Sequence, residues 1–238
     1  MLDVYTGPTP NGQKIAIMLE ETGLAYRLHE IDILAGDQLT DEFRAINPNN
    51  KQPALVDPEG LDGRPITVWE SGAILLYLGE KTGKLIPEDP VRRIEMLKWL
   101  FFQVANQGPM AGQLAHFAFY AKDRIPYAID RYRNEVTRQY AVLDRHLRGR
   151  DFIADEYSIA DIALLPYAKA ASARFEVDRP NVSRWIDALL ARDAVSRGMD
   201  FMTHRIRKET IAGGMEGFTD EHRSILFGAR QYEHSGNR

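Results

Sequence analysis

The chain of 238 residues contains no cysteine. That absence excludes a disulfide framework, a thiolate-ligated zinc site and any nucleophile made from the protein's own sulfur. The six histidines, at positions 29, 116, 146, 204, 222 and 234, show no metal-ligand spacing, so no metal is expected. No sign of charge dominates. Thirty basic and 34 acidic residues give a net charge of −4, which predicts no general attraction to nucleic acid or to an anionic membrane. No apolar run approaches the roughly 20 residues that span a bilayer. The opening MLDVYTG has no basic segment followed by an apolar run, so no secretory signal is expected and a cytoplasmic protein is. G-x-S-x-G, P-loop and dinucleotide-binding glycine motifs are missing, as are internal repeats and low-complexity tracts.

What is present is an ordinary globular composition, 44% hydrophobic and 27% charged, with length for one large or two modest domains. Residues 2–6 read as a short buried strand, followed by the breaker-rich loop Gly7 to Gly12. Ile15, Met18, Leu19 and Thr22 recur at helical spacing before Gly23. Residues 26–33 alternate as a second strand, and 38–46 read as a short helix. Two apolar runs, 54–56 and 65–68, suggest a hairpin, and a helix is predicted from Glu70 to Lys81. This order implies an α/β layer with a mixed sheet over residues 1–82. After a linker at 83–90 no strand pattern is convincing. Helices are predicted near 90–108, 126–147, 158–171 and 181–192, making 90–205 an all-helical bundle domain. Residues 206–238 read as a polar, glycine-containing extension that packs over the body or is partly mobile.

Three places carry candidate chemistry. Thr9 and Asn11 lie between the first strand and first helix, beyond a strand's carboxyl end and beside a helix N-terminus. Each can donate a hydrogen bond to an anionic sulfur and lower its pKa; the alternative is that Asn11 is only an N-cap. Gln52-Pro53 precedes an apolar strand. A cis bond there would turn the Gln52 backbone outward toward an extended peptide, whereas an ordinary trans turn is the commoner case. Glu70-Ser71 opens a helix, where free N–H groups suit a carboxylate and Glu70 suits an ammonium, together the end of an α-amino acid; plain capping is the alternative. Ser158-Ile159-Ala160-Asp161 is read as a structural capping box. Arg124, Arg131, Arg138 and Arg145 form a stripe that normally marks a solvated face. Phe117, Phe119 and Tyr120 are core or the wall of an apolar pocket, and Tyr5 is expected to pack in the sheet.

Together these residues resemble the glutathione S-transferase superfamily over residues 1 to about 200. PTPNG at 8–12, INPNNKQPALVD at 46–57 and WESGAILLYLGEKTG at 69–83 are similar to the nu-class bacterial members, relatives of the nitrogen regulator of yeast; GPMAGQ at 108–113 and IPYAI at 125–129 add to this. The resemblance implies a thioredoxin-like N-terminal domain, an all-helical C-terminal domain and a homodimer. It implies glutathione, as two reduced molecules or one oxidised molecule per site, held by the Gln52 backbone beside Pro53, by Glu70 and Ser71, and by Gln38. Thr9 and Asn11 would face the sulfur, and Arg131 would reach glutathione from the partner subunit. The catalytic Tyr, Ser or Cys of other classes is missing from this loop, as in the nu class. The implied reaction is thiol–disulfide exchange on a small disulfide. The alternatives are conjugation or ether cleavage of small hydrophobic electrophiles, and a non-catalytic glutathione-binding regulator.

Overall fold

The computed structural model describes residues 1–175, 179–201 and 218–233. Strand β1 (Leu2–Thr6) turns Leu2, Val4 and Thr6 inward. Helix α1 (Pro10–Thr22) follows after three residues. Proline at the first helical position makes Thr9 the N-cap, its Oγ accepting from the Gly12 N–H at 3.2 Å, and Gly23 at φ 72° ends the helix. The N-cap reading of Asn11 is thereby corrected. Strand β2 (Tyr26–Glu30) pairs parallel with β1. It stops before residue 33 because the Asp32 carboxylate accepts from Leu34 and Ala35 N–H and turns the chain. A 3₁₀ turn, Asp37–Leu39, leads to α2 (Asp41–Ile46), capped by Thr40.

Strands β3 (Ala54–Asp57) and β4 (Ile66–Trp69) complete a sheet of order β2-β1-β3-β4, with β3 antiparallel to both neighbours. Helix α3 (Ser71–Thr82) ends at Gly83, φ 65°. Helices α1 and α3 pack together on one side of the sheet, while Phe43 and Ile46 of α2 gather with Tyr5, Ile31 and Ala54 in a separate apolar cluster. Tyr5 stacks on His29 of the neighbouring strand, as expected of a sheet residue. This is the thioredoxin-like arrangement, and every later described element is helical.

The second part opens with α4 (Pro90–Phe102), capped by Asp89. The predicted run to Gly108 is interrupted: residues 103–107 are wound as a π-helical turn before α5 (Gly108–Ala115), and a second such turn spans 116–120. Helix α6 (Pro126–His146) and helix α7 (Ile159–Phe175) match the two middle expectations closely. Helix α8 (Pro180–Leu190) stops short of Arg192, and a separate α9 (Asp193–Asp200) follows that periodicity did not reveal. Helix α7 is apolar on nearly every face and touches α1, α3, α4, α5 and α8, so one continuous core runs through both parts. Its first turn is tied down by Asp161, which is fully buried and accepts from the N–H groups of Ser158 and Ile153, the Ser158 hydroxyl and the Trp185 indole at 3.0–3.2 Å. Ser158 Oγ accepts from Ala160, so this box is structural.

Of the extension read at 206–238, residues 206–217 and 234–238 lie outside the described residues. Residues 218–233 form α10 (Asp220–Phe227), begun by a Thr219–His222 capping box, and α11 (Ala229–Glu233). Phe218 and Ile225 are buried, Arg223 donates to the Tyr120 carbonyl at 3.0 Å, and Phe218 and Phe227 pack on the Tyr120 ring. Among the described residues no helix is long and apolar enough to cross a membrane.

Candidate functional site

The loop between β1 and α1 is built around Thr9. Its Oγ accepts from the Gly12 N–H and from Gln52 Nε2, at 3.2 and 2.5 Å. With two hydrogen bonds accepted, the hydroxyl proton is the group left to offer outward. Gln52 cannot turn its amide round. Its Oε1 already accepts from the Thr6 hydroxyl at 2.7 Å and the Gly7 N–H at 3.3 Å. Gly12 is required for this closeness: a Cβ there would stand 2.1 Å from the Gly7 carbonyl and 2.7 Å from Thr6 Oγ1. The Gln52-Pro53 bond is cis, against the commoner trans case. Sequence reading gave Gln52 a backbone role; the side chain has one too, as the brace of Thr9.

A second polar group lies beside the first. Ser71, at the start of α3, donates to Asn11 Oδ1 at 3.5 Å. Beneath them Lys14 donates to Ser71 Oγ at 3.1 Å and to Gln103 Oε1 at 2.6 Å, and its ammonium lies 5.1 Å from the Tyr167 ring centre. Burial brings Lys14 down to about 7, opposed by the negative charge of Glu70. Burial pushes the Tyr167 hydroxyl up to about 12, opposed by a hydrogen bond from the Asn11 side chain. Sequence reading missed Lys14, Gln103 and Tyr167. The one available signal was a lysine directly before the apolar stretch Ile15 to Leu19 of α1, and nothing local ties it to a serine 57 positions on.

Glu70 precedes α3 with φ 71° and makes no capping bond with its side chain, which leaves its exposed carboxylate available. Plain capping is therefore not its role. Gln38 is buried and donates to the Ile33 carbonyl, while its Oε1 has no partner among the described residues. Arg131 stands apart on α6, largely exposed and 3.9 Å from Glu135 one turn on. The structure thus joins Thr9 with Gln52, and Asn11 with Ser71 next to Glu70, but does not bring Arg131 to them within one chain. Of the three aromatics, Phe117 and Tyr120 line a cavity of about 460 Å³ with His116, Arg223 and Phe227, and Phe117 also packs against the main core, while Phe119 lies outside the cavity, stacked on Phe175.

Chemically, the loop gathers groups that would suit an anion: a hydroxyl from Thr9, the amide of Asn11 and the N-terminal end of α1. The chain itself supplies no thiol to it.

Comparison with known proteins identifies the family. Residues 9–81 match the model of the glutathione S-transferase N-terminal domain, and residues 126–188 that of the C-terminal domain. The disulfide-bond oxidoreductase YfcG of Escherichia coli is 45% identical over 204 residues, covering 84% of this chain and 94% of that protein. The crystal structure of a glutathione transferase from Pseudomonas putida, with one glutathione disulfide per subunit, superposes with a TM-score of 0.80 at 45% identity, over 83% of this chain and 90% of that one. A transferase from Burkholderia graminis, with two glutathione molecules per subunit, gives 0.80 at 47% identity, over 84% and 87%. The chain belongs to the glutathione S-transferase superfamily, among the relatives of YfcG and YghU.

Proposed function

We propose that the protein is a glutathione-dependent disulfide-bond oxidoreductase that works by thiol–disulfide exchange. The observation that carries this is a cysteine-free chain whose α1 loop offers directed donors, Thr9 foremost, at the place where a substrate sulfur would sit. Relatives are named for this activity or were crystallised with two glutathione molecules or one glutathione disulfide. In the reaction, the thiolate of one bound glutathione attacks a disulfide sulfur, the S–S bond breaks and one thiolate leaves. The mixed disulfide is then attacked by a second glutathione, releasing the other thiolate. Two glutathione molecules are oxidised to one disulfide, the substrate gains two electrons, and the two leaving thiolates take up the two thiol protons.

The chain's contribution is placement and charge stabilisation. Thr9 and Asn11 face the sulfur. The Gln52 backbone, set by Pro53, pairs with the peptide portion. Glu70 and Ser71 take the ammonium and carboxylate of the γ-glutamyl end, with Gln38 as a further contact of glutathione. Arg131 reaches the site from a partner subunit in a homodimer. Support for that dimer comes from Val91, Ile94 and Phe101, which lie on one face of α4 and are 76%, 59% and 64% exposed. The reading places the protein in the cytoplasm, where reduced glutathione is abundant.

A second reading rests on the aromatic cavity at residues 116–120: conjugation of glutathione to a hydrophobic electrophile bound there. One experiment separates the two. Reduction of hydroxyethyl disulfide by glutathione, coupled to glutathione reductase, is run beside chlorodinitrobenzene conjugation. Fast disulfide turnover with weak conjugation is expected; the reverse pattern overturns the proposal.

A further inference from the structure

Lys14 has no role in the assignments above, yet its setting demands one. Its side chain is 1% exposed. An ammonium out of water is expensive unless charge or hydrogen bonds meet it, and an apolar side chain of the same size is the usual better choice in a core. Its neighbours offer little compensation. From α3 it meets the Ser71 hydroxyl, from the π-helical turn the Gln103 carbonyl, from α7 the Tyr167 ring. Glu70 is the carboxylate that acts on it, and it does so through space. Asn11, one turn earlier on α1, is reached only through Ser71.

The direction of these bonds matters more than their number. An ammonium only donates. Ser71 Oγ therefore accepts from Lys14 and must point its own hydrogen elsewhere, and Asn11 Oδ1 lies at 3.5 Å in that direction. An Asn11 oxygen that accepts leaves the Asn11 N–H₂ turned to the other side, where it donates to Tyr167 with one of its two hydrogens. A neutral side chain at position 14 would release Ser71 to point backward and Asn11 to present its oxygen, the wrong pole for an anion.

We propose that Lys14 is a positioning residue of this site: it sets the donor direction of Ser71 and Asn11, and its charge is the counter-charge for the anionic sulfur bound above them. The proposal rests on the reading of the site as the seat of glutathione. An anion at Asn11 would hold the proton on Lys14, and removing the charge would release the sulfur toward its ordinary, less acidic range.

The test uses the full-length protein saturated with glutathione. The thiolate of the bound ligand is followed by its ultraviolet absorbance across pH, together with the pH profile of kcat in disulfide reduction. Two variants are compared with the parent. Lys14→Met removes the charge. Gln103→Glu keeps Lys14 and places a carboxylate against it; Gln103 Nε2 has no partner, so this change breaks no hydrogen bond. In both, the thiolate midpoint and the rising limb of kcat move up by about one pH unit, and kcat near pH 7 falls about tenfold, while glutathione affinity changes far less. If Lys14→Met does not fold, Gln103→Glu decides alone. Variants that are less stable but titrate like the parent overturn the role of Lys14. A parent protein whose bound thiol titrates like free glutathione overturns the reading of the site itself, and this inference with it.

Discussion

Thr9 and Asn11 occupy different positions in the hydrogen-bond pattern, and their loss should be felt in turnover more than in binding. Thr9 offers one proton outward because Gln52 and Gly12 have filled its acceptor positions. Asn11 offers an amide whose oxygen is taken by Ser71. Thr9→Ala and Asn11→Ala are each expected to lower kcat for disulfide reduction on the order of a hundredfold, with a much smaller change in glutathione Kd measured by calorimetry. Equal losses in both quantities would remove these residues from the sulfur. Lys14 also leaves a mark on stability. Its value in the folded protein, about 7, lies below the ordinary 10.5, so between these limits the unfolded chain binds more protons. Stability contributed through Lys14 therefore rises with pH from about 7 to about 10.5, by at most about 5 kcal/mol, and the full cost of the buried charge is present below pH 7. Denaturant titrations of the parent and Lys14→Met across this range should show a stability gap that moves in the parent's favour as pH rises. A constant gap would contradict it.

The elements that hold the site owe their ends to short local signals. Pro10 with Thr9 starts α1, Gly23 stops it, and Gly83 stops α3; all are visible in sequence because they follow from backbone sterics within a few residues. The π-helical turns at 103–107 and 116–120 carry no such signal. They matter, since the first aims Gln103 at Lys14 and the second presents the aromatic wall to α10. Helix α7 depends on Asp161, whose oxygens accept four hydrogen bonds from buried donors. Asp161→Ala leaves those donors unpaired in the core and is expected to cost about 3–5 kcal/mol, read as a lower midpoint in urea at unchanged m-value. Activity of the variant that remains folded should match the parent's, because the box holds α7 and touches no substrate.

At the level of the molecule, α1 is the shared beam. It packs on α3 and the sheet on one side and on α7 and α9 on the other, and Gly198 lets α9 approach so closely that a Cβ would come within 2.5 Å of the Ile17 backbone. The site at the start of α1 is thus held by both parts of the chain. The uncovered face of α4 fits the proposed homodimer. Phe101→Glu is expected to convert a dimer to monomer in light scattering coupled to gel filtration, and to weaken glutathione binding if Arg131 arrives from the partner. A parent protein that runs as a monomer would refute both statements.

The thioredoxin-like order of elements and the helical second part were legible in the chain because each rests on local physics: strand alternation, helix caps and breaker residues; Thr9, Asn11, Gln52, Glu70 and Ser71 stood out as candidates by their places at loops and helix starts and by resemblance to a known family. What the chain could not disclose were relations across long separations. The bracing of Thr9 by the Gln52 side chain spans 43 positions, the Lys14–Gln103 contact 89, and the seat of α10 on Tyr120 about as many again, 103 from Arg223. These are set when the core closes, because only a packed interior fixes which polar groups lose water and must find one another. Local pattern named the donors; burial decided which way they point.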